Sequence, residues 1–311
     1  MTDSSTACAL GRSGNSCLLD EEIHVLADAY NAWLAATAGN AEDKASKRMS
    51  GPTIMQMLQS KTACASEECV VCKLLEAVRG TVYEPVVLRI KEIAFKAAGP
   101  AELTALLDNF LIIRLCRQLE ANNEGVRFAG VLTADFMIPP LISRYGQPAA
   151  VWTDWREKGW KQLQFVFNID HRMGGGQHWT ALVIDMESRE MQYFDSFGAQ
   201  PPNGPVHASR PYDSITDEKG RFLSLLKRWI EDVAKQAPSK PLAVVCNTTQ
   251  HQAVTDQSNC GPYSVLFLAL RARRVPFDRI NREAITMPVI ERMRDRLYRR
   301  TPDYQPLPPT S

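Results

Sequence analysis

Asn259-Cys260-Gly261-Pro262 opens an apolar, helix-like run from Tyr263 to Leu270, which puts a thiol at the start of a helix. Upstream, His178 stands in Gln177-His178-Trp179 at the head of a strand-like run. Asp195 closes a second such run in Tyr193-Phe194-Asp195-Ser196. A thiol, an imidazole and a carboxylate so placed are the parts of a cysteine nucleophile system. The thiolate is the nucleophile, so the sulfur needs a base or a positive surrounding, and the partial positive charge of a helix N-terminus favours it. His178 is the candidate base, and later the acid for a leaving amine. Asp195 lies 17 positions further on (195 − 178), past a turn near Ser188 and on the return strand. A hairpin of that length sets the carboxylate beside the ring, to orient it and stabilise its charge.

Charge developing on a carbonyl oxygen must meet fixed donors. The backbone N–H of Cys260 is one, and the side-chain amide of Gln257, three residues ahead, is a second. Gln252 competes for that role, and the residues alone leave the choice open. Gly261 removes bulk beside the sulfur and lets a peptide backbone approach. Each residue alone has a plainer reading, as a buried small residue, a core pair or a turn. Their joint order at strand, strand, loop and helix carries the inference.

The elements that must position them follow from pattern. Helical spacing of Ile23, Leu26, Ala27, Tyr30 and Leu34 starts a helix at Asp20, and Gly39-Asn40 ends it. Gly51-Pro52 starts another through Met55 and Leu58, with two more expected over 72–78 and 86–98 before the stop at Gly99-Pro100. A further helix is expected over 103–119. Short β-branched or aromatic runs then predict strands over 165–169, 179–186, 191–194 and 242–246. An amphipathic helix over 221–237 lies between the last two, and a final helix over 288–300. Strands and helices interleave without βαβ alternation, so the fold class is α+β, a mixed sheet packed against helices, with an N-terminal helical arm. The expected domains are a disordered tail over 1–19, the arm over 20–98, a catalytic core over 99–300 and a flexible tail over 301–311.

Composition sets the frame. A length of 311 residues suffices for a sizeable core, and a net charge of +1 gives no global argument for nucleic acid as partner. No apolar run reaches membrane-span length and the start is polar, so an intracellular, membrane-free protein is expected. Eight cysteines in such a length do not read as a disulfide framework, which suits a reducing compartment. Cys64, Cys69 and Cys72 have metal-like spacing, but the nearest upstream histidine is His24 and no fourth ligand is near. No metal and no other cofactor is expected. His171, His207 and His251 read as surface residues, with His251 a poorer rival base than His178. The basic tracts 271–274 and 292–300 read as solvated helix faces.

Taken together, these motifs resemble the clan that contains the adenovirus protease and the ubiquitin-like-protein proteases. Within it, they resemble the polyprotein-processing proteases of African swine fever virus and related large DNA viruses. The likeness is carried by Gln177-His178-Trp179, Tyr193-Phe194-Asp195-Ser196, Pro201-Pro202-Asn203-Gly204-Pro205 and Gln257-Ser258-Asn259-Cys260-Gly261-Pro262. It extends upstream to Phe95-Lys96-Ala97-Ala98-Gly99-Pro100 and Leu107-Asp108-Asn109-Phe110. It implies a triad of His178, Asp195 and Cys260, with Gln257 in the oxyanion hole. It implies a thiol endopeptidase that cuts viral structural polyproteins at Gly-Gly-X sites, in the virion and the cytoplasmic viral factory. A virion-packaged enzyme calls for an activating partner, which the sequence does not name. Trp179, flanking the base, can wall a slot that only residues lacking a Cβ cross, a physical reason for the glycines. An isopeptidase acting on a ubiquitin-like modifier shares those terminal glycines and is the other reading. One departure is visible: the viral proteases have asparagine where this chain has Asp195.

Overall fold

The structure, a computed structural model, describes residues 8–12, 15–38, 49–133, 136–137, 144–169, 178–198 and 217–305, the side chains of 217–223 excepted. Two compact units are present, one formed by the chain up to Ala97 with Arg296–Arg299, the other by the remainder.

The first unit holds α1 (Asp20–Ala38), α2 (Gly51–Thr62), α3 (Glu67–Ala77) and α4 (Glu84–Ala94). Pro52 and Pro85 stand in the first turns of α2 and α4, where no N–H is needed, and the Ser66 hydroxyl caps α3 by accepting from Cys69 N–H (3.2 Å). Leu26, Ile54, Val70, Leu74, Val87 and Ala94 meet in one apolar core. Residues 8–12 and 15–18, expected to be disordered, belong to that core in part: Cys8, Cys17 and Leu18 are buried, and Arg12 forks onto Glu22 at 2.9 and 2.7 Å. Disulfides join Cys8 to Cys17 and Cys64 to Cys69, so the expectation of wholly reduced cysteines fails for these four. Arg299 forks onto Glu68, which places the 296–299 stretch in this unit.

The second unit is built on a five-stranded mixed sheet of order β2-β3-β4-β5-β6. Its strands are β2 (Val126–Thr133), β3 (Gln162–Asn168), β4 (Trp179–Asp185), β5 (Glu190–Phe194) and β6 (Ala243–Cys246). The outer pairs are parallel and the inner ones antiparallel. The α+β class is thus as expected. Strand β2 was not anticipated, because Gly130 breaks the alternation of Val126, Phe128 and Leu132 with a bulge. Also unanticipated were α6 (Pro148–Lys158) and α9 (Phe277–Arg282). A strand, β1 (Ala97–Pro100), pairs with β7 (Tyr298–Thr301), where helical ends were expected. Helix α5 (Asn109–Ala121) starts later than 103, since the Asp108 carboxylate caps it by accepting from Leu111 N–H (2.7 Å). No helix among the described residues is long and apolar enough to cross a membrane.

Both faces of the central strands are covered, so β3 and β4 are buried at every position. On one face Leu163, Phe165, Phe167, Leu182 and Ile184 pack with Trp152 of α6 and Trp229 and Val233 of α7 (Asp217–Lys235). Against the other lies α8 (Cys260–Ala272), nearly every residue of which is buried. A helix buried nearly all round belongs in a core. Polar groups set its register: Gln164 donates to the Leu268 carbonyl (3.1 Å) and the Ser264 hydroxyl to the Trp179 carbonyl (3.1 Å). At its C-terminal end Arg271, expected on a solvated face, is buried. Its Nη2 meets Asp185 Oδ2 at 2.8 Å and its Nε donates to Gln192 Oε1 at 2.6 Å. Asp185 Oδ2 also accepts from Gln162 Nε2 (2.7 Å), and Oδ1 accepts from Glu187 N–H (2.9 Å) in the β4–β5 turn.

Removing one partner of a buried, hydrogen-bonded pair strands the other charge. Asp185→Ala is therefore expected to lower the unfolding free energy by about 3–5 kcal/mol. Urea unfolding followed by circular dichroism reads this directly. A loss no larger than a surface substitution gives would show that the pair does not pin α8.

Candidate active site

The β4–β5 register explains how a base and a carboxylate 17 residues apart come together. Ala181 pairs with Phe194, so Asp195 falls opposite Thr180, and His178 is the diagonal neighbour on the same face. Long side chains bridge such diagonals. His178 precedes β4, and its carbonyl accepts from Ile169 N–H (3.1 Å), which carries the β3–β4 pairing out to it. Asp195 Oδ1 lies 2.9 Å from His178 Nε2. With Nε2 engaged there, Nδ1 is the ring nitrogen left to serve a thiol.

Cys260 is the first residue of α8 and is buried. Its own N–H is among the first-turn donors for which a helix offers no internal acceptor. Burial pushes the His178 pKa down, but the Asp195 charge and hydrogen bond, together with Cys260, outweigh it and raise the value to about 10. The ring therefore holds its second proton through the neutral range. His178, Asp195 and Cys260 are thus assembled as one cluster.

The other candidates fare differently. Gln257 is exposed and makes no hydrogen bond among the described residues, so its amide is available to a ligand. Gln252 is spent on structure: its Oε1 accepts from Ser196 Oγ (2.6 Å) and its Nε2 donates to the Asp256 carbonyl (2.6 Å). Trp179 is buried, with Nε1 donating to the Leu107 carbonyl at 3.2 Å. Gly261 does not face an open approach to the sulfur. A Cβ built there meets Leu107 Cβ and Trp179 Cδ1 at 3.3 Å, so the missing side chain lets α8 lie against the indole. His251 is buried rather than on the surface. Its Nδ1 accepts from Ile285 N–H (3.0 Å), and burial lowers its pKa to about 4, which removes it as a rival base. Gln177, His171, His207 and the 201–205 loop lie outside the described residues.

Several contributors were not anticipated. Asn247, just after β6, clamps the Asp195 backbone: Oδ1 accepts from Asp195 N–H (2.9 Å) and Nδ2 donates to its carbonyl (2.7 Å). Phe197 N–H donates to Asp195 Oδ1 at 2.9 Å, and the Phe197 ring lies 5.2 Å from the His178 ring. Phe197 stands two residues after the carboxylate and was open to notice. Asn247 had no local signal, because its partner lies 52 residues away. Asp256, Asn259 and Arg294 order the loop before Cys260, and Arg294, expected to be solvated, is fully buried.

Residues 154–303 match the family model for the Ulp1 protease family, C-terminal catalytic domain. The chain is 26% identical over 273 residues to a cysteine protease of African swine fever virus (isolate Tick/Malawi/Lil 20-1/1983), covering 79% of this chain and 88% of the relative. A relative from isolate Pig/Kenya/KEN-50/1950, named a SUMO-1 cysteine protease, is 26% identical over 276 residues with the same coverage. The crystal structure of the African swine fever virus protease superposes with a TM-score of 0.61 at 21% identity, over 97% of this chain and 98% of that one, a likeness of fold. The segment 154–303 is thus similar to the catalytic domain of the Ulp1 protease family, and the chain is a cysteine-type peptidase.

Proposed function

We propose that the protein is an endopeptidase that cuts viral structural polyproteins after Gly-Gly through a thioester acyl-enzyme. The observation that carries this reading is the buried His178 ring, held by the Asp195 carboxylate and shared with Cys260 at the start of α8. In the proposed reaction the Cys260 sulfur attacks the scissile carbonyl. The oxyanion takes the N–H of Cys260 and the amide of Gln257. His178 gives its proton to the departing amine, leaving the thioester. The neutral ring then takes a proton from water, whose hydroxide displaces the sulfur and releases the acid. Trp179, next to His178 in the chain, is the residue proposed to wall a narrow passage suited to residues without a Cβ. The proposed setting is the virion and the viral factory in the host cytoplasm, where the viral polyprotein is the partner.

The second reading is an isopeptidase that removes a ubiquitin-like modifier. It is favoured by the family match and by the name of the SUMO-1 protease relative. Gly-Gly-X peptides and fluorogenic ubiquitin and SUMO substrates, offered side by side, separate the two. Turnover confined to the modifier substrates would replace the first reading with the second.

Cys260→Ala and His178→Ala are each expected to abolish turnover in a folded protein, since the first removes the nucleophile and the second its base. Near-normal cleavage by either would refute its role.

Asp195→Asn removes the carboxylate that raises His178. The His178 pKa stands above its ordinary 6.5, at about 10, so the pair stabilises the fold fully below 6.5. That contribution is lost as pH rises through about 10. The asparagine variant is expected to stay active, milder than Cys260→Ala, with the alkaline limb of kcat/KM moved to lower pH. An unmoved limb in paired pH profiles would show that Asp195 does not set the His178 charge.

Gln257→Ala is expected to lower kcat by roughly 10²–10³-fold with little change in KM, the loss of one oxyanion donor. Gln252→Ala strips two buried hydrogen bonds, so its defect is expected to appear as a lower Tm. A Gln252→Ala protein with normal Tm and the larger kcat loss would transfer the oxyanion role to Gln252.

A further inference from the structure

An oxyanion hole formed by Cys260 N–H and the Gln257 amide depends on the two residues between them, and a buried cation holds that stretch. Arg294, on α10 (Met287–Leu297), is completely buried. Its Nε donates to Asn259 Oδ1 at 2.8 Å, and its Nη2 to the carbonyls of Ser258 (3.1 Å) and Ala105 (2.9 Å). Asn259 relays this to Asp256: its Nδ2 donates to both carboxylate oxygens at 3.0 Å. Asp256 Oδ1 also accepts from Ser258 N–H (3.1 Å) and Ser258 Oγ (3.3 Å). The turn from Asp256 to Asn259 is thereby fastened at three points, one of them the Ser258 carbonyl.

We propose that Arg294 is the positioning residue of the oxyanion site, acting through Asn259 and Asp256. The assignment rests on the reading of Cys260 and Gln257 given above. Its physical content is orientation. Holding the Ser258 carbonyl on the guanidinium fixes the Ser258–Asn259 peptide plane, and the Asn259 side chain is held from both ends. Only the Asn259 backbone dihedrals then remain to aim the Cys260 N–H, and Asn259 sits as the N-cap at φ −100° and ψ 5°. A Ser258–Asn259 peptide plane free to swing would carry the next peptide unit with it and turn the Cys260 N–H away from the substrate oxygen. Preorganised donors are what stabilise the tetrahedral intermediate without reorganisation during reaction. A planar fork that reaches an amide oxygen and two carbonyls at once is a task for Arg that the single ammonium of Lys does not perform. Arg294 touches neither substrate nor sulfur in this scheme.

The test uses the full chain with Arg294→Lys, and Asn259→Ser as the second variant. Three measurements are made: hydrolysis of a fluorogenic Gly-Gly-X peptide, inhibition by a peptide ending in Gly-glycinal, and alkylation of Cys260 by iodoacetamide. The aldehyde adduct carries an oxyanion, whereas alkylation needs only a reactive sulfur. For Arg294→Lys, kcat is expected to fall about 10²-fold, at the lower end for a lost oxyanion donor. Aldehyde affinity should fall by the same factor, as for a transition-state mimic, while KM and the alkylation rate stay within about threefold of wild type. Turnover and aldehyde affinity near wild type would overturn the assignment. So would a parallel fall of turnover, alkylation and Tm, or failure of both variants to fold, because each describes a purely structural residue. Wild type and Cys260→Ala run alongside: a wild type without turnover, or an active Cys260→Ala, would sink the reading of the site itself, and this assignment with it.

Discussion

Burying α8 on every side is the constraint on which the second unit depends. The helix lies against the face of the sheet made by Gln162, Gln164, Ala181 and Val183, and Phe267 stacks on Phe194 at 4.6 Å between ring centroids. A helix so enclosed cannot leave its terminal polar groups to water, and each unmet one costs free energy. At the C-terminal end Arg271, Asp185, Gln192 and Gln162 supply a connected set of partners. At the N-terminal end Arg294, Asn259 and Asp256 order the entering loop. The first set fixes how far along the sheet the helix lies. The second leaves its first N–H and its first side chain, Cys260, at the place where the sheet presents His178.

Much of the chemistry was legible because it sits at ends of elements that sequence patterns mark well. The apolar run after Cys260 and the strand-like runs beside His178 and Asp195 announced their elements, and the structure starts or stops those elements within a residue or two. What escaped was whatever depends on burial rather than on pattern. Arg271 and Arg294 lie in basic tracts, and charge along a helix ordinarily means a wet face. Here both are covered, because the groups they satisfy lie 86 and 35 residues away in the chain. Strand β2 was hidden by Gly130, and the packed segment around Cys8 and Cys17 by its small, polar composition. A cysteine count says nothing of which sulfurs fall within bonding reach.

The same logic reassigns Gly261. From the sequence its missing side chain suggested space for a substrate backbone. In the fold that space is filled by Trp179 and Leu107, and the indole is held there by its bond to the Leu107 carbonyl. The glycine therefore acts on the site through helix placement. Trp179 links three things at once: its position beside His178, its carbonyl to Ser264 of α8, and its ring to the glycine after the nucleophile. The proposed base and nucleophile, His178 and Cys260, are thus coupled through packing as well.

The Asp195 environment would hold an amide as well as a carboxylate. Its backbone is clamped by Asn247, and its Oδ1 accepts from both Phe197 N–H and His178 Nε2. All of these contacts need an oxygen at the Oδ1 position, and an asparagine side chain offers one. The orientation of the His178 ring is therefore independent of whether residue 195 is charged. Only the electrostatics differ: the carboxylate adds a full negative charge beside a buried ring, which is what lifts its proton affinity against the cost of burial. Orientation and charge support, often assigned together to the third member of such a triad, are here separable by a single change of one oxygen to nitrogen.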